Sequence, residues 1–189
     1  MMGFFSGSKD IRIVEQRVLS SVRDQNQTKQ QETKAMAETV KELLASASGE
    51  VIILCIGSDR SVGDSLGPLV GTMLVEAGVP HTVYGTLEEP VHAFNLETTI
   101  KKINRQFEKP VVLSIDAGLG NKEDVGTVFL KKGPLIPGKA LQKVLPPVGD
   151  YHITGVVNYL DPLPAAQFLN DTRLYTVRKL AETIVNVIK

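Results

Sequence analysis

The sequence predicts an α/β fold built around a mostly parallel mixed sheet. Short apolar runs alternate with amphipathic stretches, the order that gives βαβ units and parallel strands. The loops that separate these runs are rich in glycine, serine and aspartate. The chain has 189 residues, enough for one domain with its own core.

The N-terminal part of the chain is predicted to be an extension at 1–35, partly helical or disordered, before a single domain at 36–189. Its weak apolar stripe falls near helical spacing (Ile11, Val14, Val18, Val22). This segment is either a loosely attached helix or a partner, dimer or regulatory segment. A stronger stripe predicts the helix that opens the domain (Met36, Val40, Leu43, Leu44, Ala47).

The remaining elements follow from apolar periodicity. Strands are predicted at 51–57, 81–86, 111–115, 126–132 and 152–157. Helices are predicted at 68–77, 96–107 and 174–187. Right-handed crossovers make the first three strands parallel, and the strand at 126–132 is expected to be antiparallel at an edge of the sheet. Residues 133–147 are predicted to be a loop rich in proline and glycine.

Composition argues against several classes of protein. Lys plus Arg and Asp plus Glu each total 21, so the chain has no basic surplus for nucleic acid or anionic lipid. No apolar stretch approaches the roughly 20 residues of a membrane helix. The first residues lack the features of a secretory signal, and a cytoplasmic location is therefore predicted. Cys55 is the only cysteine and, within an apolar strand, is expected to be a small buried hydrophobe.

Two aspartates, Asp64 and Asp116, each lie just beyond an apolar run. If both runs are parallel strands of one sheet, their carboxyl ends share the edge where open α/β sheets usually place their sites. Two carboxylates at close range repel each other, so ionising both is unfavourable. One carboxyl therefore holds a proton while the other acts as a base. We therefore predict that Asp64 and Asp116 are a catalytic pair that activates water for hydrolysis.

Each aspartate also has a structural alternative. Ser61 and Asp64 match the spacing of a capping box, although Pro68 indicates that the regular helix starts near Gly67 and leaves Asp64 in the loop. Asp116 could cap a turn at 116–120, because aspartate is a common turn residue.

Polar residues near the two aspartates are predicted to bind substrate. They lie in the loops after the first and second strands (Ser58, Asp59, Arg60, Glu88, Glu89). The first of these loops has neither the dinucleotide glycine spacing nor a P-loop, so no cofactor is predicted.

Two other kinds of site remain open. Gly63-x-Ser65-x-Gly67 matches the nucleophile pattern of serine hydrolases and is similar to that of the GDSL-type esterases, with Asp150 and His152 as the source of a base. The serine, however, comes eight residues after Gly57 rather than at the tight turn that an elbow needs. A divalent metal held by Asp64, Asp116 and either His92 or His152 is the second alternative, and His81 is the third histidine of the chain.

The segment 64–68, placed after a strand, and the segment 114–117, which ends a later strand, resemble those of the germination protease of spore formers, an aspartate-dependent endopeptidase. The chain resembles still more closely the YyaC-type sporulation proteins, from about Val51 into the last helix. This resemblance implies a three-layer α/β/α fold of the phosphorylase/hydrolase-like type, with a mostly parallel mixed sheet, which the hydrogenase-maturation endopeptidases share. It also implies that Asp64 and Asp116 fall on the two catalytic aspartates of the protease.

The hydrogenase-maturation enzymes bind nickel through acidic residues at these two places and a histidine after the edge strand. Here the loop at 133–138 has no histidine, and Ile136 stands near its place. The resemblance therefore implies the version of the site without metal. Ser58 stands where the protease loop has a polar amide residue.

Taken together, these observations predict a sporulation-associated, aspartate-dependent endopeptidase. Its expected partners are peptide or protein substrates, including spore proteins, and a homo-oligomer is left open. Two alternatives are a non-catalytic binding or regulatory protein on the same fold and a serine hydrolase that uses Ser65.

Overall fold

Six strands form one mixed sheet in the part of the chain that the structure describes. The structure is a computed structural model that describes residues 16–19, 27–137, 145–159 and 171–189. The strands are β1 (Gln16–Leu19), β2 (Val51–Cys55), β3 (Thr82–Tyr84), β4 (Val111–Gly120), β5 (Thr127–Lys132) and β6 (Tyr151–Tyr159). Their order across the sheet is β1-β5-β6-β4-β2-β3. The pairs β6·β4, β4·β2 and β2·β3 are parallel, and β1·β5 and β5·β6 are antiparallel.

Helices cover both faces of this sheet. They are α1 (Gln27–Ala45), α2 (Leu66–Glu76), α3 (Leu96–Gln106) and α4 (Leu174–Ile188). Apolar residues of α1, α2 and α4 pack in one cluster against one face, and Leu96 and Ile103 of α3 pack against the other. The predicted three-layer α/β/α architecture with a mostly parallel mixed sheet is therefore confirmed.

Strand β2 shows why the sequence folds in this way. All five of its residues are buried, as expected for a strand that has helices on both sides. Alternate side chains point to opposite faces, so Ile53 and Cys55 join the α1, α2 and α4 cluster while Ile52 and Leu54 join the α3 cluster. Cys55 is a buried hydrophobe, as predicted, and burial raises the pKa of its thiol.

Three details of the fold differ from the prediction. Val18 lies in β1 and pairs with Val128 of β5, so the helix predicted around Val18 is wrong; Ile11, Val14 and Val22 lie outside the described residues. Because β1 pairs with its outer side, β5 is not the edge strand that was expected. Helix α1 begins at Gln27, ahead of Met36, and crosses the predicted domain start. In a segment as short as β1, pairing with a strand that is distant in the sequence determines the conformation, and the local apolar pattern does not.

The segment between β5 and β6 is partly described. Residues 133–137 and 145–147 form no helix or strand, and Leu135 and Val148 form a single bridge. The rest of the predicted loop lies outside the described residues. Among the helices of the described chain, none combines the length and apolar character needed to cross a membrane.

Gly67 sets how closely α2 approaches the end of β2. A Cβ atom at this position would lie 2.0 Å from the backbone oxygen of Ile56. Alanine in a helix is normally more favourable than glycine by about 1 kcal/mol. Here we expect Gly67→Ala to lower the free energy of unfolding by about 1–3 kcal/mol, because α2 must shift away from the sheet.

Denaturant unfolding measures this effect. Thr98→Ala, at an exposed position of α3, is the control and should change the free energy of unfolding by less than about 0.5 kcal/mol. A Gly67→Ala protein more stable than the wild type would contradict the close packing of α2 on β2.

Candidate active site

The chain after β2 folds back on the end of its own strand and positions Asp64. Gly57 has a φ of 146°, and a Cβ there would lie 2.1 Å from the backbone oxygen of Asp64. The N–H of Ser58 donates to that same oxygen at 3.0 Å. Asp64 itself lies in a 3-10 turn, Gly63–Ser65, that leads directly into α2, and not in an irregular loop as predicted. Glycine at position 57 thus allows the backbone of Asp64 to rest on the strand end.

Asp116 lies within β4 and not after it. The strand continues to Gly120, so the turn predicted at 116–120 is wrong. Pairing with β2 ends at Ile115, whose carbonyl oxygen accepts from the Ile56 N–H at 2.7 Å. Asp116 is therefore the first residue of β4 beyond β2, and it stays paired with Thr154 of β6 on the other side. Its side chain is buried, with 9% of its surface exposed.

Neither aspartate caps a helix. No side chain caps the 3-10 turn or the start of α2, so the capping box of Ser61 and Asp64 is not formed. The Ser61 hydroxyl is buried and has no hydrogen-bond partner among the residues that the structure describes. The Oδ1 atom of Asp116 accepts from the N–H of the next residue, Ala117, at 2.8 Å. The other carboxyl oxygen of Asp116 accepts no hydrogen bond from the described residues.

The two carboxyls interact electrostatically. Burial raises the pKa of Asp116, the nearby charge of Asp64 raises it further, and the Ala117 N–H lowers it in part, which leaves this pKa well above its ordinary value. Burial also raises the pKa of Asp64, while the Ser58 N–H and the charge of His92 lower it. The pair is therefore asymmetric: the pKa of Asp116 is raised more strongly, by burial and by the charge of Asp64, whereas the Ser58 N–H and His92 offset part of the effect of burial on the pKa of Asp64.

His92 is a neighbour of the aspartate pair that the sequence indicated only as a metal ligand. Val91 forms a bridge with Ile56, and its carbonyl oxygen accepts from the Gly57 N–H at 2.8 Å, which brings His92 beside the loop of Asp64. The Phe94 N–H donates to His92 Nδ1 at 3.3 Å. The His92 N–H donates to Asn95 Oδ1 at 2.7 Å and fixes the turn. No spacing rule in the sequence indicates this position.

The residues predicted to bind substrate are placed differently from one another. Ser58 contributes its backbone N–H to Asp64, and its hydroxyl accepts from the Arg60 N–H at 3.3 Å. Asp59 and Arg60 are exposed in the same loop. The exposed carboxylates that follow β3 (Glu88, Glu89) perturb the pKa of neither aspartate. The structure therefore brings Ser58 to the pair, and substrate binding by all five residues stays a prediction.

The serine and metal alternatives gain no support from the geometry. The buried Ser65 hydroxyl donates to the Val62 carbonyl oxygen at 2.7 Å, whereas a nucleophile elbow needs an exposed hydroxyl. The His152 Nδ1 is hydrogen-bonded to the Gly133 carbonyl oxygen at 2.8 Å, and Asp150 accepts from the Val112 N–H at 2.8 Å. The described residues contain no group of three or more His, Cys, Asp and Glu side chains that could hold a metal ion.

This fold and site define an α/β/α protein with a pair of aspartates, one of them buried, at the carboxyl edge of its parallel strands. Residues 24–187 match the family described as "Protein of unknown function (DUF1256)", and the chain belongs to that family. It is similar to the uncharacterized protein YyaC of Bacillus subtilis (strain 168), with 42% identity over 156 residues that cover 79% of this chain and 76% of YyaC. The predicted resemblance to YyaC-type proteins is confirmed. The relation to the germination protease and the hydrogenase-maturation endopeptidases stays a prediction.

The raised pKa of Asp116 makes stability depend on pH. Because its pKa is higher in the folded than in the unfolded protein, the contribution of the protonated carboxyl is complete below about pH 4 and is lost as pH rises toward the folded-state pKa. Asparagine has no such titration and keeps the oxygen that accepts from Ala117. We therefore expect the Asp116→Asn protein to be more stable than the wild type at pH 7, with a free energy of unfolding that is higher by about 1–4 kcal/mol.

Urea unfolding at pH 3.5 and pH 7 tests this expectation. The advantage of Asp116→Asn should disappear at pH 3.5. Asp59→Asn, in the same loop as Asp64 but exposed, is the control and should stay within about 0.5 kcal/mol of the wild type at both pH values. An Asp116→Asn protein that is less stable than the wild type at pH 7 would show that the carboxylate is stabilising.

Proposed function

We propose that this protein is an aspartate-dependent peptidase of the cytoplasm that acts in sporulation. The observation that carries the proposal is the asymmetric pair of Asp64 and Asp116, two interacting carboxyls of which one is buried. A pair of this kind holds one proton between two groups, and that is the state in which it can supply a base and an acid together.

The environment of each carboxyl assigns its role. Asp64 is the base, because the Ser58 N–H and His92 favour its ionised form. It takes a proton from a water molecule while the water oxygen forms a bond to the carbonyl carbon of the peptide. Asp116 is protonated and donates a hydrogen bond to the carbonyl oxygen, on which negative charge develops. When the C–N bond breaks, the leaving amine receives the proton that Asp64 holds.

The link to sporulation rests on family resemblance. The chain belongs with YyaC-type proteins. In the resemblance to the germination protease, Asp64 and Asp116 fall on its catalytic aspartates. Spore proteins are therefore the first substrates to test. That resemblance motivates the biological setting of the proposal, and the aspartate pair supports its chemistry.

A binding role on the same fold is the second candidate, and one observation favours it. Asp116 Oδ1 already accepts the N–H of Ala117, so this carboxyl also stabilises the backbone. In a protein that binds an extended segment at this edge without cleaving it, this structural hydrogen bond would be the whole role of Asp116. The two candidates differ in whether the bound peptide is hydrolysed.

Replacement of each aspartate separates these candidates. We expect Asp64→Asn and Asp116→Asn each to lower the rate of peptide cleavage by roughly 10²–10⁴-fold, since each removes one of the two proton-transferring groups. Small acid-soluble spore proteins are the substrates, and mass spectrometry of the products is the measurement. Asp59→Asn is the matched control and should keep its rate within about two-fold, because Asp59 is exposed and does not perturb the pair.

Full activity in either the Asp64→Asn or the Asp116→Asn protein would refute the mechanism. Saturable binding of the same spore proteins by the wild type, with no new product, would establish the binding role instead.

The pH dependence of cleavage is a second expectation. Activity should fall at low pH as Asp64 becomes protonated and fall again at high pH as Asp116 loses its proton. Because both pKa values are raised, the whole bell-shaped profile should lie above the ordinary aspartate pKa of about 3.9. A rate that does not change between pH 4 and pH 9 would show that the two carboxyls do not carry the proton transfers.

A further inference from the structure

Strand β4 extends beyond β2 at the candidate active site. Its pairing with β2 stops at Ile115, yet β4 runs on to Gly120 and stays paired with β6 as far as Tyr159. After Ile56 the chain turns toward the β3 side, where the Gly57 N–H donates to Val91. Within the described residues no strand pairs with the β2 side of β4 beyond Ile115. An open edge of β4 thus starts beside Asp116.

The hydrogen bonds already made by β4 show which backbone groups face this edge. The Val111 N–H donates to Glu50 and the Ile115 carbonyl oxygen accepts from Ile56, so odd-numbered residues face β2. The Val112 carbonyl oxygen accepts from the Asp150 N–H, so even-numbered residues face the β6 side. Backbone groups alternate along a strand. Ala117 and Leu119 therefore direct their backbone N–H and C=O groups to the open edge.

The alternation continues past the irregularity of the strand. The register with β6 shifts between Gly118 and Leu119, where β6 holds the extra residue. Ala117 and Leu119 both pack against the α1, α2 and α4 cluster, as Leu113 and Ile115 do, so β4 itself keeps its alternation. The Ala117 N–H is occupied by Asp116. The edge then offers one acceptor on Ala117 and a donor and an acceptor on Leu119.

Beyond Asp116, β4 carries no side chain on one side of the sheet, where the Thr154 and Val156 side chains of β6 lie over Gly118 and Gly120. On the side of the sheet to which Asp116 points, the next positions of β4 are Gly118 and Gly120, which have no side chains. Residues 117–120 are all partly exposed. An approaching backbone therefore meets no side chain of β4 between the open edge and the carboxyl of Asp116. Elsewhere an open strand edge is a risk for aggregation, and a short, glycine-rich one beside a reactive pair is suited to binding.

We infer that the substrate binds as an extended peptide that pairs with β4 at Ala117 and Leu119 and passes over Asp116. The inference rests on the proposed function and gives the form in which that site takes its substrate, an unfolded segment and not a helix or a folded surface. Strand addition of this kind draws its affinity from main-chain hydrogen bonds. It requires the peptide backbone to be free on one side, so folded proteins must expose a tail or loop.

A scan of the peptide backbone tests the inference. The Asp64→Asn protein, which keeps Asp116 and its bond to Ala117, is used to select binders from a library of random octapeptides with acetylated and amidated ends. The tightest binder is then resynthesised with an N-methyl group at one amide at a time. We expect methylation at alternate amides to weaken binding about ten-fold, because those N–H groups bond to β4. Methylation at the amides between them should change the affinity less than two-fold.

Leu119 provides the matched test on the protein. Leu119→Pro removes the backbone donor, whereas Leu119→Ala shortens the side chain and keeps the donor. We expect the proline variant to bind the octapeptide about ten-fold more weakly than the alanine variant. Equal affinities in two folded variants would overturn the inference. If circular dichroism shows that the proline variant is unfolded, the N-methyl scan alone decides.

The outcomes separate this inference from the proposed function. If methylation at alternate amides lowers the affinity and the wild type does not cleave the peptide, the pairing of the peptide with β4 is supported and the proposed peptidase activity is refuted. Cleavage of a peptide whose scan shows no alternation keeps the peptidase and overturns the docking mode. Selection of no octapeptide at all overturns the docking mode.

Discussion

The parallel pairing of β2 with β4 is the constraint on which the rest of the site depends. It places the last residue of β2, Cys55, opposite Ile115 of β4. The chain that leaves β2 and the continuing strand β4 therefore lie at the same edge of the sheet. The turn of Asp64 then rests on that end because Gly57 and Gly67 let backbone approach backbone. Asp116 follows Ile115 directly. A different register between these two strands would separate the carboxyls, even if every helix kept its place.

Bringing two carboxyls together has an electrostatic cost, and the fold distributes it unequally. Asp116 is more deeply buried and faces the charge of Asp64, so its neutral form is favoured. Asp64 keeps two groups that favour its charge, the Ser58 N–H and His92, and both come from chain segments fixed beside β2 by backbone hydrogen bonds. The same burial that makes the pair suitable for proton transfer is expected to make the protein less stable as pH rises.

Much of the fold could be predicted from the sequence because long apolar runs and amphipathic helices leave few arrangements for β2, β3, β4 and the helices around them. The aspartate pair could be predicted for the same reason, since the carboxyl ends of parallel strands share an edge. Aspartate and glycine make a turn at 116–120 a plausible alternative from the sequence, but pairing with β6 extends the strand through these residues. Strand β1 is similar, because its four residues take their conformation from β5. His92 could not be found, since its place depends on the bridge between Val91 and Ile56.

The titration of the aspartate side chains tests the account most directly. Carbon-detected NMR of protein labelled at the aspartate carboxyl carbons follows each group in the wild type and in Asp64→Asn. The account predicts that Asp116 titrates well above the ordinary value of about 3.9, and that its pKa falls when Asp64 loses its charge. An Asp116 that titrates near 3.9, or a pKa that is the same in both proteins, would contradict the presence of an interacting pair.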